Sequence, residues 1–251
     1  MDPAALLARH GLPAAGIDPV KGGLVNRVWR TRLHVVRVSA RTDHAREARL
    51  AAAARAAGVR TPLALAHGDG YSIWERWPGE PPRAVDAVPH ASWLALLEDL
   101  ERVHAHPLEP LPSAPLAPWR GRLQLIDRTQ HASGWTREER AALERLLSPV
   151  RPTLRPTFVH GDAFAGNVLV DDRGGYVGLI DWGCARWSSL DEECARLETP
   201  ALEIALTRWA DAIDPASLWA RRLDLLLEVA SFRHAPIGSV RSALQAASGR
   251  R

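Results

Sequence analysis

The chain has 251 residues, is 46% hydrophobic and 24% charged, and carries a formal net charge of +3. Such a chain can bury a sizeable core without disulfides or structural metals, in one large domain or two small ones. Its basic side chains are scattered among acids and its apolar runs are short, which excludes a clustered nucleic-acid footprint and a membrane-spanning segment.

The elements are expected in the following order. Residues 3–10 form a short helix. From about 15 to 39 the β-branched runs VNRVWRTRL and HVVRVSA read as strands, with Gly22-Gly23 turning the chain before them. Thr42 or Asp43 caps a helix over 43–57 that ends at Gly58. PLALAHGDGYSIWERW is a hairpin turning at Gly68-Asp69-Gly70. Pro78-Gly79 and Pro81-Pro82 break the chain, and a domain boundary is placed there, giving segments 1–77 and 78–251. An amphipathic helix occupies 89–105, an irregular proline-rich stretch 106–118, and further helices 119–131 and 136–147. TFVHGD, NVLVDD and YVGLID are short strands between Gly-rich turns, and the tail from 190 is helical in three segments.

Charge and cysteine usage add to this. Residues 1–80 hold 12 basic and 7 acidic side chains, and residues 81–251 hold 20 and 22, so the two parts suit different partners. Lys21 is the single lysine, so lysine Schiff-base chemistry is excluded unless Lys21 supplies it. The N-terminus lacks a basic head and a signal-peptide apolar core. Cys184 and Cys194 match no metal or redox spacing and read as free thiols, which points to a reducing, cytoplasmic location.

The densest chemical signal is FVHGDAFAGNVLVDDRGGYVGLIDWG, residues 158–183. Two strands around a tight hairpin can bring Asp162, Asn167 and Asp181 to one end of a small sheet. An oxygen-only trio suits Mg²⁺, which takes one or two carboxylates and leaves its other positions to water and phosphates. Asn167 and Asp181 are then candidate metal ligands, and Asp162 is free to accept a proton from an attacking hydroxyl. That is the division of labour in phosphoryl transfer.

His-Gly-Asp-x4-Asn followed by Ile-Asp-Trp resembles the aminoglycoside phosphotransferase and choline kinase family of the protein-kinase-like superfamily. The resemblance runs from about Val20 to about Glu198. It implies an α+β, bilobal fold, with an antiparallel-sheet nucleotide lobe carrying one main helix over 1–77 and a mostly helical lobe over 78–251. It makes Asp162 the catalytic base and Asn167 and Asp181 the magnesium ligands. VKGGLVNRVWR resembles the family's phosphate-covering loop, so Gly22, Gly23 and Asn26 are expected at the nucleotide, where glycines let backbone amides approach phosphate.

The family's third strand normally carries a lysine on the α- and β-phosphates. Here that strand is His34-Val35-Val36-Arg37-Val38, so Arg37 is the candidate, with Val36 and Val38 facing the other way. Arginine can grip phosphate bidentately. Its expected partner is Glu47, which shares a helix face with Leu50, Ala51 and Ala54, an unusual place for an unpaired carboxylate. YSIWERWPGE resembles the family's hinge. Backbone groups from Trp74 through Glu75 to Trp77 are expected at the purine of ATP or GTP, while the Trp74 and Trp77 rings stay open between core and base stacking.

The acceptor site is expected in the second half. DEECARLE, residues 191–198, places Asp191 and Glu193 as a candidate anionic wall for a cationic acceptor, the alternative being an acidic first helical turn that complements the helix dipole. The resemblance implies a kinase acting on a hydroxyl of an aminoglycoside-type antibiotic. Choline, ethanolamine or another metabolite alcohol is the next reading, and a catalytically weak nucleotide-binding relative a third. Expected partners are Mg²⁺, a nucleoside triphosphate and a small acceptor, with no nucleic acid and no membrane.

Overall fold

A computed structural model describes residues 1–20, 26–233 and 238–249. In chain order the elements are α1 (Pro3–Arg9), β1 (Asp18–Val20), β2 (Arg27–Arg30), β3 (His34–Val38), α2 (His44–Ala56), β4 (Ala64–Gly68), β5 (Tyr71–Glu75) and α3 (His90–Ala105). They continue as α4 (Gln124–Ser133), α5 (Arg137–Leu147), β6 (Thr157–Val159), β7 (Val168–Val170), β8 (Tyr176–Leu179), β9 (Arg186–Ser188), α6 (Leu190–Arg196), α7 (Thr199–Arg208), α8 (Pro215–Arg233) and α9 (Gly238–Gly249). The fold is α+β, with its antiparallel sheet early in the chain and helices dominating the later part.

The chain forms two compact units. The first joins Met1–Pro110 to Asp162–Arg186, and the second joins Leu111–Gly161 to Trp187–Arg251. The break placed at 77/78 falls inside the first unit.

In the first unit the strands pair antiparallel in the order β1-β2-β3-β5-β4. Alternation along β3 sends Val36 and Val38 to one face, where they join Leu6 and Leu7 of α1 and Tyr71 and Ile73 of β5 in a buried cluster. Val35 and Arg37 take the other face. Asp43 caps α2, its carboxylate accepting from the Arg46 amide at 2.9 Å, and α2 buries Glu47, Leu50, Ala51 and Ala54. His44, its first residue, is buried as well, and Ser72 of β5 lies 2.9 Å from its Nδ1. The β7–β8 hairpin completes this unit, with Val168 opposite Leu179.

In the second unit, Thr136 and Glu139 form a reciprocal capping box at the start of α5. Arg122 holds Asp224 and Glu228 of α8 through paired hydrogen bonds of 2.6–2.9 Å. Two expectations are corrected here. The helix foreseen over 119–131 begins only at Gln124, because Trp119 bridges Arg151 in extended form and the Arg122 amide is bonded to Asp224. The tail contains four helices among the described residues rather than three. No helix among them is long and apolar enough to cross a membrane.

Candidate active site

Asp162, Asn167, Asp181, Arg37 and Glu47 all belong to the first unit. Asp162 follows β6 through Gly161, whose φ of +74° favours glycine. The loop then closes on itself. Asn167 Nδ2 donates to the Asp162 carbonyl at 2.9 Å and to its carboxylate Oδ2 at 3.0 Å. Asn167 is thus the residue that orients the Asp162 carboxylate. The register of β7 and β8 sets Asn167 against Ile180, and the Ile180 amide donates to the Asn167 carbonyl at 2.9 Å. Asp181, the next residue, therefore emerges at the same sheet end as Asn167. The hairpin sets Asn167 and Asp181 at one sheet end, and Asn167 holds the Asp162 carboxylate.

Asp181 is the only non-glycine at positive φ among the described residues, at φ 66° and ψ 75°. Aspartate tolerates this conformation better than most residues, yet it carries strain that the surrounding structure must hold. Holding comes from both sides. The Ile180 amide is fixed by Asn167, and Trp182 is buried with its indole N–H donating to Thr61 Oγ1 at 2.9 Å. The Asp181 side chain itself remains 38% exposed.

Arg37 connects the two halves of this constellation. Its guanidinium is hydrogen-bonded to the Glu47 carboxylate through Nη1 and reaches Asp181 Oδ2 through Nη2 at 3.2 Å. Burial by itself would lower the Arg37 pKa, but the charges and hydrogen bonds of Glu47 and Asp181 outweigh it and hold it above its ordinary value. Glu47 is 1% exposed. Burial pushes its pKa up to about 7, with Asp181 adding to the rise and Arg37 opposing it. The pairing expected from the apolar helix face is present.

Sequence reasoning did not find Arg46, the neighbour of Glu47. Its Nε and Nη2 grip the Glu109 carboxylate at 2.9 and 2.7 Å, and Nη2 also donates to the Ala185 carbonyl at 2.7 Å. Arg46 thus ties α2 to the segment that follows Asp181. An arginine beside a glutamate in a helix gives no sequence cue to a partner 63 positions away.

The hinge residues are placed as follows. Glu75 Oε2 accepts from the Leu63 amide, from Arg55 and from the Trp77 indole at 3.1, 2.9 and 3.2 Å, so its carboxylate braces the segment. The Trp77 ring packs on Gly178 and carries the Arg55 guanidinium 4.9 Å from its centroid. Trp74 is buried, with its indole on Ser72. Trp74 lies in the core, and Trp77 is only partly buried. The Trp77 backbone groups make no hydrogen bond among the described residues. Asn26 Oδ1 accepts from Thr42 at 2.9 Å, tying the start of β2 to the β3–α2 connection. Gly22, Gly23 and Lys21 lie outside the described residues.

The two candidate acceptor carboxylates are engaged inside the second unit. Glu193 is fully buried and accepts from the backbone amides of His160 and Gly161 at 2.6 and 3.2 Å. It anchors the residues immediately before Asp162. Asp191 is buried and accepts from the Asp214 amide at 2.8 Å, and burial raises its pKa. Glu192, between them, is bonded to Ser188 and Arg221. Asp191 and Glu193 are thus buried in the acidic first turn of α6 and bonded to backbone amides.

The oxygen chemistry fits magnesium. Asn167 spends its amide N–H on Asp162 and keeps its side-chain oxygen, and Asp181 presents a partly exposed carboxylate. No group of three or more His, Cys, Asp and Glu could hold a metal among the described residues. A magnesium ion bound largely through nucleotide phosphates needs none.

The family model described as the APH phosphotransferase enzyme family matches residues 16–224. A comparison with curated proteins finds no match. Among solved structures, the GDP complex of an aminoglycoside 2′-phosphotransferase-IIIa variant aligns with a TM-score of 0.65 at 15% identity, covering 97% of this chain and 95% of that one. Spectinomycin phosphotransferase with ADP and spectinomycin aligns with a TM-score of 0.64 at 11% identity, covering 96% and 91%. Macrolide 2′-phosphotransferase from Brachybacterium faecium aligns with a TM-score of 0.57 at 18% identity, covering 99% and 98%. At these identities the likeness establishes the kinase-like fold, in accord with the expected fold class.

Proposed function

The chain belongs to the APH phosphotransferase enzyme family, whose members act on hydroxyl groups, and on that premise we propose that it transfers the γ-phosphate of ATP or GTP to a hydroxyl of an aminoglycoside-type antibiotic or a related amino sugar or amino alcohol. The observation that carries this reading is the closed constellation in which Asn167 orients Asp162 while Arg37 joins Glu47 to Asp181.

In the proposed reaction Asp162 accepts a hydrogen bond from the acceptor hydroxyl and takes its proton. The hydroxyl oxygen bonds to the γ-phosphorus in line as the bond to the β–γ bridging oxygen breaks, and the nucleoside diphosphate departs. Arg37 offers its guanidinium to the phosphates, and Glu47 fixes its direction. Asn167 and Asp181 would hold Mg²⁺, which supplies neutralisation of phosphate charge. Trp77 backbone groups meet the purine edge. Gly22, Gly23 and Asn26 belong to the loop over the phosphates, and Glu75 supports the hinge from behind.

The lobes of this proposal are residues 1–77 for the nucleotide and 78–251 for the catalytic loop and acceptor. A cytoplasmic setting fits Cys184 and Cys194, neither of which is in a disulfide. Choline or ethanolamine is the alternative acceptor class. A catalytically weak nucleotide-binding role has one favouring feature, an arginine in the usual lysine's place. The test is a magnesium–nucleotide assay against aminoglycosides, amino sugars and choline, read by product mass. A gain of one phosphate on one class supports the proposal. Nucleotide binding without turnover on any acceptor favours the weak relative.

A further inference from the structure

Phe164 stands two residues after Asp162. Of the large hydrophobic side chains exposed among the described residues, it is the one in the Asp162–Asn167 loop, at 41% exposure. Its place relative to Asp162 is fixed. The Asn167 amide donates to the Phe164 carbonyl at 2.9 Å, and the same Asn167 holds the Asp162 carbonyl and carboxylate through Nδ2. The phenyl ring lies against Gly166, where a Cβ would come within 2.4 Å of Cε2. Gly166 therefore makes room for the ring, and the backbone beneath leaves the rest of it open. Ala163 and Ala165 on either side are buried, so the ring is the loop's one large side chain facing outward.

We propose that Phe164 is an acceptor-specificity residue. Its phenyl face packs on the apolar C–H face of a saturated, hydroxylated ring and so sets the ring's hydroxyl beside Asp162. The proposal rests on the phosphotransferase reading above and narrows it to ring-bearing acceptors. An exposed phenyl gains by covering apolar surface, and a rigid aromatic does so at low conformational cost. The choice of an apolar face over a cationic group follows from the ring itself, since a lone phenyl is a weaker cation site than tryptophan.

The test uses the full chain as wild type, Phe164→Ala, Phe164→Leu and Phe164→Tyr. Transfer is measured to spectinomycin, erythromycin and glucosamine as ring acceptors and to choline as an open-chain one. Phe164→Ala should lower kcat/KM for the ring acceptors that the wild type uses by about tenfold or more relative to choline, mainly through acceptor KM. Phe164→Tyr should restore it and Phe164→Leu should recover part. An equal fall on every acceptor, no fall, or a parallel rise in nucleotide KM would overturn the proposal and leave the ring a loop scaffold. Calorimetric titration of the same acceptors into Asp162→Asn protein, with and without Phe164→Ala, reads binding without turnover. Ring binding that depends on Phe164, with no transfer to any acceptor by the wild type, would keep the proposal and sink the phosphotransferase reading. Transfer with ring binding indifferent to Phe164 would do the reverse.

Discussion

In the proposed function Arg37 does the work usually given to a lysine, and its two carboxylate partners, Glu47 and Asp181, decide what substitutions will do. A guanidinium between Glu47 and Asp181 has donors for both, whereas an ammonium reaches them only as a point charge. Arg37→Ala should weaken magnesium–nucleotide affinity by about tenfold or more, and Arg37→Lys by less. Equal affinities of Arg37→Ala and wild type in a fluorescence titration would remove Arg37 from the phosphates. Glu47 predicts a pH effect. Its pKa rises from 4.5 to about 7 on folding, so the folded state holds the extra proton between those values. The stability it contributes is full below pH 4.5 and is lost as pH rises through 7. Thermal melts of the nucleotide-free protein between pH 5 and pH 8 should show a decline attributable to Glu47, and Glu47→Gln should flatten that part of the profile. Identical pH profiles for the two proteins would contradict the raised value. The resemblance to the family pointed to Arg37 and its pairing with Glu47, with strand alternation and the apolar helix face in agreement, and the two side chains are bonded to one another in the structure. The fates of Asp191 and Glu193 were not legible in the sequence. Four acids in eight residues look alike in a string, and only the packing of α6 reveals which are turned inward.

At the scale of elements, α2 and the segment after Asp181 hold one another. Arg37 joins Glu47 to Asp181, and Arg46 joins α2 to Glu109 and the Ala185 carbonyl. Arg46 touches none of the reacting groups and acts as a positioning residue. Arg46→Ala should raise the KM for magnesium–nucleotide about threefold to tenfold, a cost near that of one charged hydrogen-bond network partly open to solvent. Arg46→Lys should recover only part, because a lysine cannot form the bidentate grip. A fall in melting temperature with unchanged nucleotide KM would reduce Arg46 to a stability role. The helices, hairpins and main strands followed from hydrophobic period and turn residues. β9 escaped notice because three residues carry no period, and α4 starts late because Trp119 and Arg122 are claimed by partners distant in sequence.

For the whole molecule, the residues proposed to meet nucleotide and metal, Asn26, Arg37, Glu47, Asn167 and Asp181, lie in one compact unit with Asp162, although 110 and 162 bound its two segments in sequence. The single lysine first excluded chemistries and then marked the chain's departure from its family. In the structure the arginine at that place is bonded to both Glu47 and Asp181. The motifs made the family legible, and they stop short of the acceptor because one fold and one catalytic motif serve many substrates. The most direct test of the central claim is phosphate transfer by Asp162→Ala alongside its magnesium–nucleotide affinity. The expected result is a loss of transfer of about a hundredfold or more, in the range of general-base catalysis, with nucleotide affinity within about threefold of wild type. Transfer surviving within about tenfold would contradict the role of Asp162 and with it the account of the site.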